Sequence, residues 1–481
     1  MHSWSELLPL LPEVFLLGMI CVLLLADLYV PQEHRGFTHF LALMILAFTA
    51  IITLRAFSID APPQSAFDGM FLRDGVSDIL KVAMYGVLAL VFVYSREYLS
   101  ERGLLSGEFY VLCLTALLGM MVLVSAGSLI TVYLGLELLA LSTYALVALN
   151  RDSTLSSEAA MKYFVLGALA SGMLLYGMSM VYGATGSLDL ATIRGATAGL
   201  GDSAILLSFG LVFVVIGVAF KFGAAPFHMW VPDVYQGSPT AITLFIGSVP
   251  KLAAFGMAWR LLDGGMAGVG EQWQSMLALL AVASLAIGNV VALAQTNLKR
   301  MLAYSTISHV GFLFVGLASG SAEGFAAAMA YVILYALMAA GAFGMIILLS
   351  HKGFEAEEIE DFKGLSRRQP WYALMMLLLM ASLAGFPPLV GFFAKFLVLK
   401  AAVEAGLIWL AIAAVVFAVI GAYYYLRIIK LMYFDNPADD QPPVLPSDAP
   451  MRWALSASAL FQLAALVVWG PLLSLCQRAF T

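Results

Sequence analysis

Charge is what this sequence has least of. Asp, Glu, Lys and Arg make up 11% of its 481 residues, against roughly 25% in a soluble domain. Cysteine is nearly absent: Cys21, Cys113 and Cys476 stand far apart, each in an apolar stretch. No Cys-x-x-Cys pair or Cys/His cluster occurs, so iron–sulfur, zinc and haem attachment have no support. No Gly-x-Gly-x-x-Gly or Walker run follows a strand pattern, which puts any nucleotide chemistry on another chain. The first ten residues carry Glu6 and no Lys or Arg, so they lack the basic start of a secretory signal. Residues 8–30 read as a retained first span. The net charge of −6 says little, because in such a chain the placement of charge outweighs its sum.

What is present is apolar. Hydrophobic residues reach 62% and mean hydropathy is +0.94, which water cannot accommodate on a folded surface. The expected fold is an all-α polytopic membrane protein. Runs of roughly 18–25 apolar residues give about fourteen spans, near 9–30, 36–57, 74–95, 108–126, 128–149, 158–184, 203–224, 240–262, 273–295, 300–319, 324–350, 371–400, 403–433 and 453–475. The third is the least regular, with Asp78 and Lys81 entering early. Spans seven and twelve run long and carry Pro226 and Pro387–Pro388, which remove backbone donors and break the helix inside the membrane.

Lys and Arg set the orientation. With loops assigned alternately to two sides, one side gathers Arg35, Arg96, Arg102, Arg151, Lys162, Lys299, Arg300, Lys352, Lys363, Arg367, Arg368, Arg427, Lys430 and Arg452. The other holds far fewer. Positive loops stay cytoplasmic, so both termini are expected outside, in the periplasm of a Gram-negative bacterium. The two largest loops are then cytoplasmic. Residues 351–370 suit a short amphipathic helix, and the Pro/Asp-rich 434–451 reads as an extended cap. Neither suffices for a domain, so residues 1–481 form a single integral membrane domain. Breaks five spans apart suggest two five-helix repeats, spans 4–8 (108–262) and 9–13 (273–433). An odd number of spans inverts the second copy, a design that places sites at the broken helices. Spans 1–3 (1–107) precede the repeats and a last span (452–481) follows them.

Charged groups inside the spans carry the functional reading. A lysine at the centre of a membrane helix costs about 2.5–3.5 kcal/mol by insertion scales. Lys221, Lys251 and Lys395 each stand inside or beside broken or neighbouring spans. Glu137, with about ten apolar-rich residues on either side, needs a partner or a proton, and Lys221 is the candidate partner. A lysine between an apolar interior and a movable carboxylate can load and release a proton. The scale suffices: one charge across about 150 mV is roughly 3.5 kcal/mol, or about 2.5 pKa units. Against this stand a neutral, hydrogen-bonded Glu137 and lysines that snorkel to an interface, a reading that suits Lys81 and Lys400 better than Lys251. His309 is a relay candidate between lysines or a satisfied packing residue. Lys162, with Glu158 one turn before it, either opens the cytoplasmic intake or is a plain helix-end pair. His228, close to the break in span seven, is a relay candidate or a partner for freed carbonyls. Glu13 is expected to mark a contact with a neighbouring chain. Asn289 and Ser305 are too generic to assign.

Several runs together resemble a known family. KFGAAPFHMWVPDVYQGSPT (221–240), LAGFPPLVGFFAKF (383–396), NLKRMLAYSTISHVG (297–311), EDFKGLSRRQP (360–370) and YYYLRIIKLMYF (423–434) resemble, in order, the antiporter-like membrane subunits of respiratory complex I, NADH:quinone oxidoreductase. The PDVY wording, the length and the missing long lateral helix point to one branch of it. By this resemblance Glu137, Lys221, Lys251 and Lys395 form a proton path from cytoplasm to periplasm, driven by quinone reduction elsewhere. The resemblance also implies that NADH, FMN, iron–sulfur clusters and quinone are bound by other subunits, with no cofactor or metal in this chain. Expected partners are other membrane-arm subunits, including further antiporter-like ones, and membrane lipids, with no nucleic acid. The expected location is the bacterial inner membrane. Two rival readings remain: a subunit of a multisubunit sodium/proton antiporter, and a passive scaffold of the membrane arm.

Overall fold

Two interrupted helices organise the structure, a computed structural model that describes residues 7–31, 34–197, 203–437 and 448–480. The spans are α1 (Leu8–Asp27), α2 (Gly36–Arg55), α3 (Gly75–Glu101), α4 (Gly107–Val124), α5 (Leu129–Val147), α6 (Thr154–Thr185) and α7 (Ala204–Phe222). The short helix Trp230–Gly237 continues α7 beyond its break. Then come α8 (Thr240–Trp259), α9 (Gly270–Leu293), α10 (Leu298–Ala318), α11 (Ala322–Leu349), α12 (Pro370–Ala384) with its second half Val390–Glu404, α13 (Ile408–Phe434) and α14 (Ala449–Leu460). A helix at Ala465–Arg478 follows α14. Among the described residues twelve helices are long and apolar enough to cross a membrane, thirteen with the bent C-terminal pair. The two halves of α12 are 15 residues each, so the sequence's fourteen runs become twelve or thirteen helices of spanning length among the described residues. The protein is an all-α, multi-pass membrane protein.

Local chemistry sets the helix ends. Asp74 and Ser77 form a reciprocal capping box at the start of α3, with Ser77 N donating to Asp74 Oδ1 at 2.8 Å. Ser128 caps α5 and Asn297 caps α10, each short polar side chain taking an otherwise orphaned amide. Gly223 and Gly385 end α7 and α12 in the left-handed conformation, at φ 77° and 91°, which a side chain resists. A proline follows three residues after each, Pro226 and Pro388.

Glycine also sets the packing distances. A Cβ on Gly119 of α4 would lie 2.8 Å from the Gly135 carbonyl of α5, and one on Gly288 of α9 would lie 2.6 Å from Ser308 N of α10. Both pairs pack backbone to backbone, as small residues allow in a bilayer where lipid is as apolar as leucine. The helices α8, α10 and α11 are innermost: 100%, 94% and 94% of their apolar windows are buried, against 33% for α1, α6 and α13. Leu169 and Val419 on the outer helices point away from the protein, as a membrane protein requires.

The first three spans overturn two expectations. Lys81 does not snorkel. It is fully buried and pairs with Glu13 of α1 at 2.7 Å, so Glu13 meets its own chain instead of marking a neighbour. Lys81 lies in the second turn of α3 with its side chain enclosed by protein, and a buried cation needs an anion. Beside them Arg73 pairs with Asp78 at 3.0 Å and donates to the Thr53 carbonyl at 2.9 Å. Arg260, at the end of α8, pairs with Asp74 at 2.7 Å and donates to the Val124 carbonyl at 3.0 Å. These charges tie α1, α2 and α3 to α4 and α8. Around them β1 (Gln64–Ala66) and β2 (Phe71–Arg73) form an antiparallel hairpin, Gln64 opposite Arg73. Lys400, as expected, stays at the surface, 3.5 Å from Glu404.

The loop 351–370 forms no single amphipathic helix. It holds two short turns, Ile359–Phe362 and Leu365–Arg368, because Gly364 at φ 61° interrupts the helix. Most of the 434–451 cap lies outside the described residues.

Lys81→Met is expected to destabilise the protein by about 3–5 kcal/mol, by stranding Glu13 as a buried unpaired charge. Lys81→Met with Glu13→Gln should recover most of that loss in a thermal unfolding series on the detergent-solubilised protein.

Candidate functional site

A helix that stops inside an apolar interior leaves carbonyls without intrahelical partners. At the first break the carbonyl of Phe222, last residue of α7, accepts from Lys251 Nζ at 2.8 Å. The same ammonium lies 5.5 Å over the ring of Trp230, first residue after the break. Lys251 thus spans the gap between the two halves. It reaches them from the middle of α8, whose helix is buried along its length.

Lys221 lies one residue before the end of α7 and is buried. It lines a cavity of about 20 Å³ with Ser171, Tyr144, Tyr163 and Trp230, room for about one water. Glu137, half-buried on α5, accepts a hydrogen bond from Ser171 Oγ of α6. Glu137 and Lys221 make no direct ion pair. Ser171 bonds the carboxylate and lines the same cavity as Lys221.

The second break repeats the chemistry. Lys395 Nζ donates to the carbonyls of Leu383 and Ala384 at 2.9 and 2.8 Å, the last two residues of α12. It lies 5.1 Å over the Phe312 ring. A Cβ at Gly385 would come within 2.9 Å of the Lys395 chain, so this glycine serves both the left-handed turn and the lysine's path. The sequence order differs between the breaks, Lys221 preceding its proline and Lys395 following. The structure pairs Lys251 with Lys395 by what they hold.

Between the breaks lies a buried polar network. His309 of α10 bonds Tyr331 OH through Nδ1 at 2.6 Å and Tyr425 OH through Nε2 at 3.2 Å. One ring nitrogen donates and the other accepts, so the imidazole can pass a proton through. Tyr425 also bonds Ser305, and Tyr424 OH donates to Asn289 Oδ1 at 3.1 Å. Phe312, one turn beyond His309, stacks on Tyr331 and carries Lys395 on its ring. Ser305 and Asn289 therefore belong to the network, although neither stood out in the sequence. A usable signal was the spacing of Ser305 and His309, four apart on one face of α10.

At the outer end of the Trp230–Gly237 helix, Lys162 Nζ meets Asp233 at 2.8 Å as well as Glu158 at 2.9 Å. Asp233 also pairs with Arg300 at 2.8 Å. They line a cavity of about 180 Å³ with Gln236 and Glu357. Lys162 is thus part of a charged mouth, and Asp233, inside the quoted PDVY run, is a member that sequence reasoning left unassigned. His228 lies half-buried in the break segment, edge-on to Tyr304 with ring centres 6.4 Å apart.

Residues 126–421 match the family described as NADH:quinone oxidoreductase/Mrp antiporter, TM. The chain is 54% identical over 478 residues to NADH-quinone oxidoreductase subunit N of Thioalkalivibrio sulfidiphilus, covering 99% of this chain and 98% of that protein. It is 56% identical over 477 residues to the subunit N of Thiobacillus denitrificans, covering 99% and 98%. Among solved structures it resembles a chain of respiratory complex I from Thermus thermophilus with bound aureothin, with a TM-score of 0.82 and 33% identity, covering 96% of this chain and 99% of that one. A chain of the Mrp complex from a Dietzia species has the same TM-score at 19% identity, covering 100% and 97%, which speaks to the fold alone.

Ser171→Ala removes the hydrogen bond to Glu137 without touching either charge. The carboxyl stretching band that disappears in Glu137→Gln is expected to shift in Ser171→Ala in infrared difference spectra. An unmoved band would show that Ser171 does not bond the carboxylate.

Proposed function

The chain belongs to the NADH:quinone oxidoreductase/Mrp antiporter membrane family, beside its subunit N members, and from that premise we propose that it carries protons from cytoplasm to periplasm along a buried line of side chains. The observation that carries this reading is the pair of broken helices, each with a lysine ammonium donating to the carbonyls freed at the break. A proton reaches Lys221 from the charged mouth at Lys162 and Asp233. It passes to Lys251, crosses the network of His309, Tyr331 and Tyr425, and leaves through Lys395. Glu137 tunes Lys221 across the one-water cavity and answers to charge in the adjacent subunit. His228 flanks the first break.

Lysine suits this role because its charge and its hydrogen bonds change together. The ammonium has three donors and bonds carbonyls strongly, whereas the neutral amine is a weaker partner for a helix C-terminus. Loading and unloading Lys251 or Lys395 therefore alters the grip on a broken helix at the same moment as it moves a proton. The sequence spacing and the matching glycine caps support two inverted five-helix repeats, α4–α8 and α9–α13, with α1–α3 before them and the last span after. This chain has no redox step. Electron transfer through NADH, FMN, iron–sulfur clusters and quinone belongs to other subunits and drives it through charge changes in the membrane arm. Its neighbours are other membrane-arm subunits, including antiporter-like ones, and lipid. Its place is the bacterial inner membrane, with both termini periplasmic.

In membrane vesicles with Lys221→Ala, proton pumping and NADH-driven quinone reduction are expected to fall together. The size of a lost proton-transfer group suggests a drop on the order of 10². Assembly is checked on the same membranes. Normal pumping by an assembled Lys221→Ala complex would leave the scaffold reading standing, and sodium-dependent transport would favour the antiporter reading.

A further inference from the structure

The helix that carries Lys251 has no cap of its own. The residue before α8 is Pro239, which offers no side-chain hydrogen bond, and helix starts need such a partner for their orphaned amides. Here the partners come from elsewhere. Thr240 N donates to Tyr98 OH of α3 at 3.1 Å, and Tyr98 OH donates to Glu355 at 2.9 Å. Thr240 Oγ1 also donates to Glu355. Glu355 belongs to the α11–α12 loop, more than a hundred residues away in sequence, and pairs with Arg102 at 2.6 Å. Arg102 stacks 3.7 Å over the Tyr98 ring and donates to the loop carbonyls of His351 and Phe354 at 3.3 and 3.2 Å.

The same loop reaches the residues just before α8. Glu357 lies 3.4 Å from the buried Lys299, which donates to the Ser238 carbonyl at 2.9 Å. Glu357 also lines the charged mouth. Two acidic residues of one loop, Glu355 and Glu357, thus hold the end of the Trp230–Gly237 helix and the start of α8. From Thr240 to Lys251 is eleven residues of helix, about 16 Å. The helix runs unbroken over that length, with Pro250 inside it next to Lys251, and it links a displacement at its start to the ammonium that sits on the Phe222 carbonyl.

We propose that Glu355 is a positioning residue for proton transfer: its carboxylate, supplied by the loop that leads into the second broken helix, holds the Tyr98 hydroxyl that caps α8 and the Thr240 hydroxyl beside it, and so fixes where Lys251 meets the first. Its negative charge at the start of α8 also complements the helix dipole. The arrangement gives the two breaks a mechanical connection, since the chain that leaves this clamp enters α12. The inference rests on the transport reading above.

The test uses the whole complex in liposomes, with Glu355→Ala, Glu355→Gln and Glu355→Asp beside Lys221→Ala. Hydrogen exchange of the amides at 237–243 reads the clamp, and protons moved per electron reads its consequence. Glu355→Gln, which keeps shape and loses the Arg102 pair, is expected to speed exchange at the start of α8 on the order of tenfold and to lower the proton-to-electron ratio while electron transfer continues. Glu355→Asp should restore part of both. Unchanged exchange in Glu355→Gln overturns the clamp. Faster exchange with an unchanged ratio reduces Glu355 to a tether and overturns its positioning role. If Glu355→Ala fails to assemble, the isosteric Glu355→Gln decides alone. Normal pumping by Lys221→Ala would sink the path itself, a result separate from the exchange reading.

Discussion

A carbonyl with no partner inside a membrane is the constraint on which this structure turns. Ending α7 at Phe222 and α12 at Ala384 strands backbone acceptors where neither water nor lipid can bond them. Each break is met by a lysine, Lys251 or Lys395, and each ammonium also lies over an aromatic ring. The cation is tolerated in the interior because the helix end it caps is itself partly negative. The carbonyls are tolerated because the cation is there. Neither would survive alone, which gives a physical reason for broken helices and buried lysines to occur together.

Around these points the protein separates its charges by task. The outer helices expose apolar side chains, and the innermost, α8, α10 and α11, carry Lys251, His309 and Tyr331 in the interior, where Tyr424 and Tyr425 reach in from the inner face of α13. The ion pairs of α1–α3 form a second set. Glu13–Lys81, Arg73–Asp78 and Asp74–Arg260 hold the first three spans against α4 and α8, with opposite charges matched one to one. The site groups differ in kind. Lys221 lines a water-sized cavity with Ser171, which donates to Glu137, and His309 lies between hydroxyls that can both donate and accept. Matched contact stabilises; unmatched proximity leaves a group free to change its charge.

Much was legible from residues alone. The apolar runs marked the spans to within a few positions, and the prolines at 226, 387 and 388 marked both breaks. Glu137, Lys221, Lys251, His309 and Lys395 stand out in the sequence as polar groups that a bilayer does not accept without reason, and the structure buries Lys221, Lys251 and His309. The same question gave the wrong answer at Lys81, because distance from a helix end was measured along the chain and its partner Glu13 lies on a helix more than sixty residues earlier. Asp233, Glu355 and Glu357 were passed over because acidic residues near loops are ordinary, and only their convergence on α8 and the mouth distinguishes them.

By itself the sequence determined that the chain lies in a membrane and where its helices run and break, since hydropathy and proline act locally and along the chain. Tertiary structure alone decided who meets whom: that Lys251 bridges the first break, that Ser171 bonds Glu137 and lines the Lys221 cavity, and that a distant loop holds the hydroxyls at the start of α8. A hydrogen bond depends on a few tenths of an ångström between helices, and packing of one helix against another sets that distance.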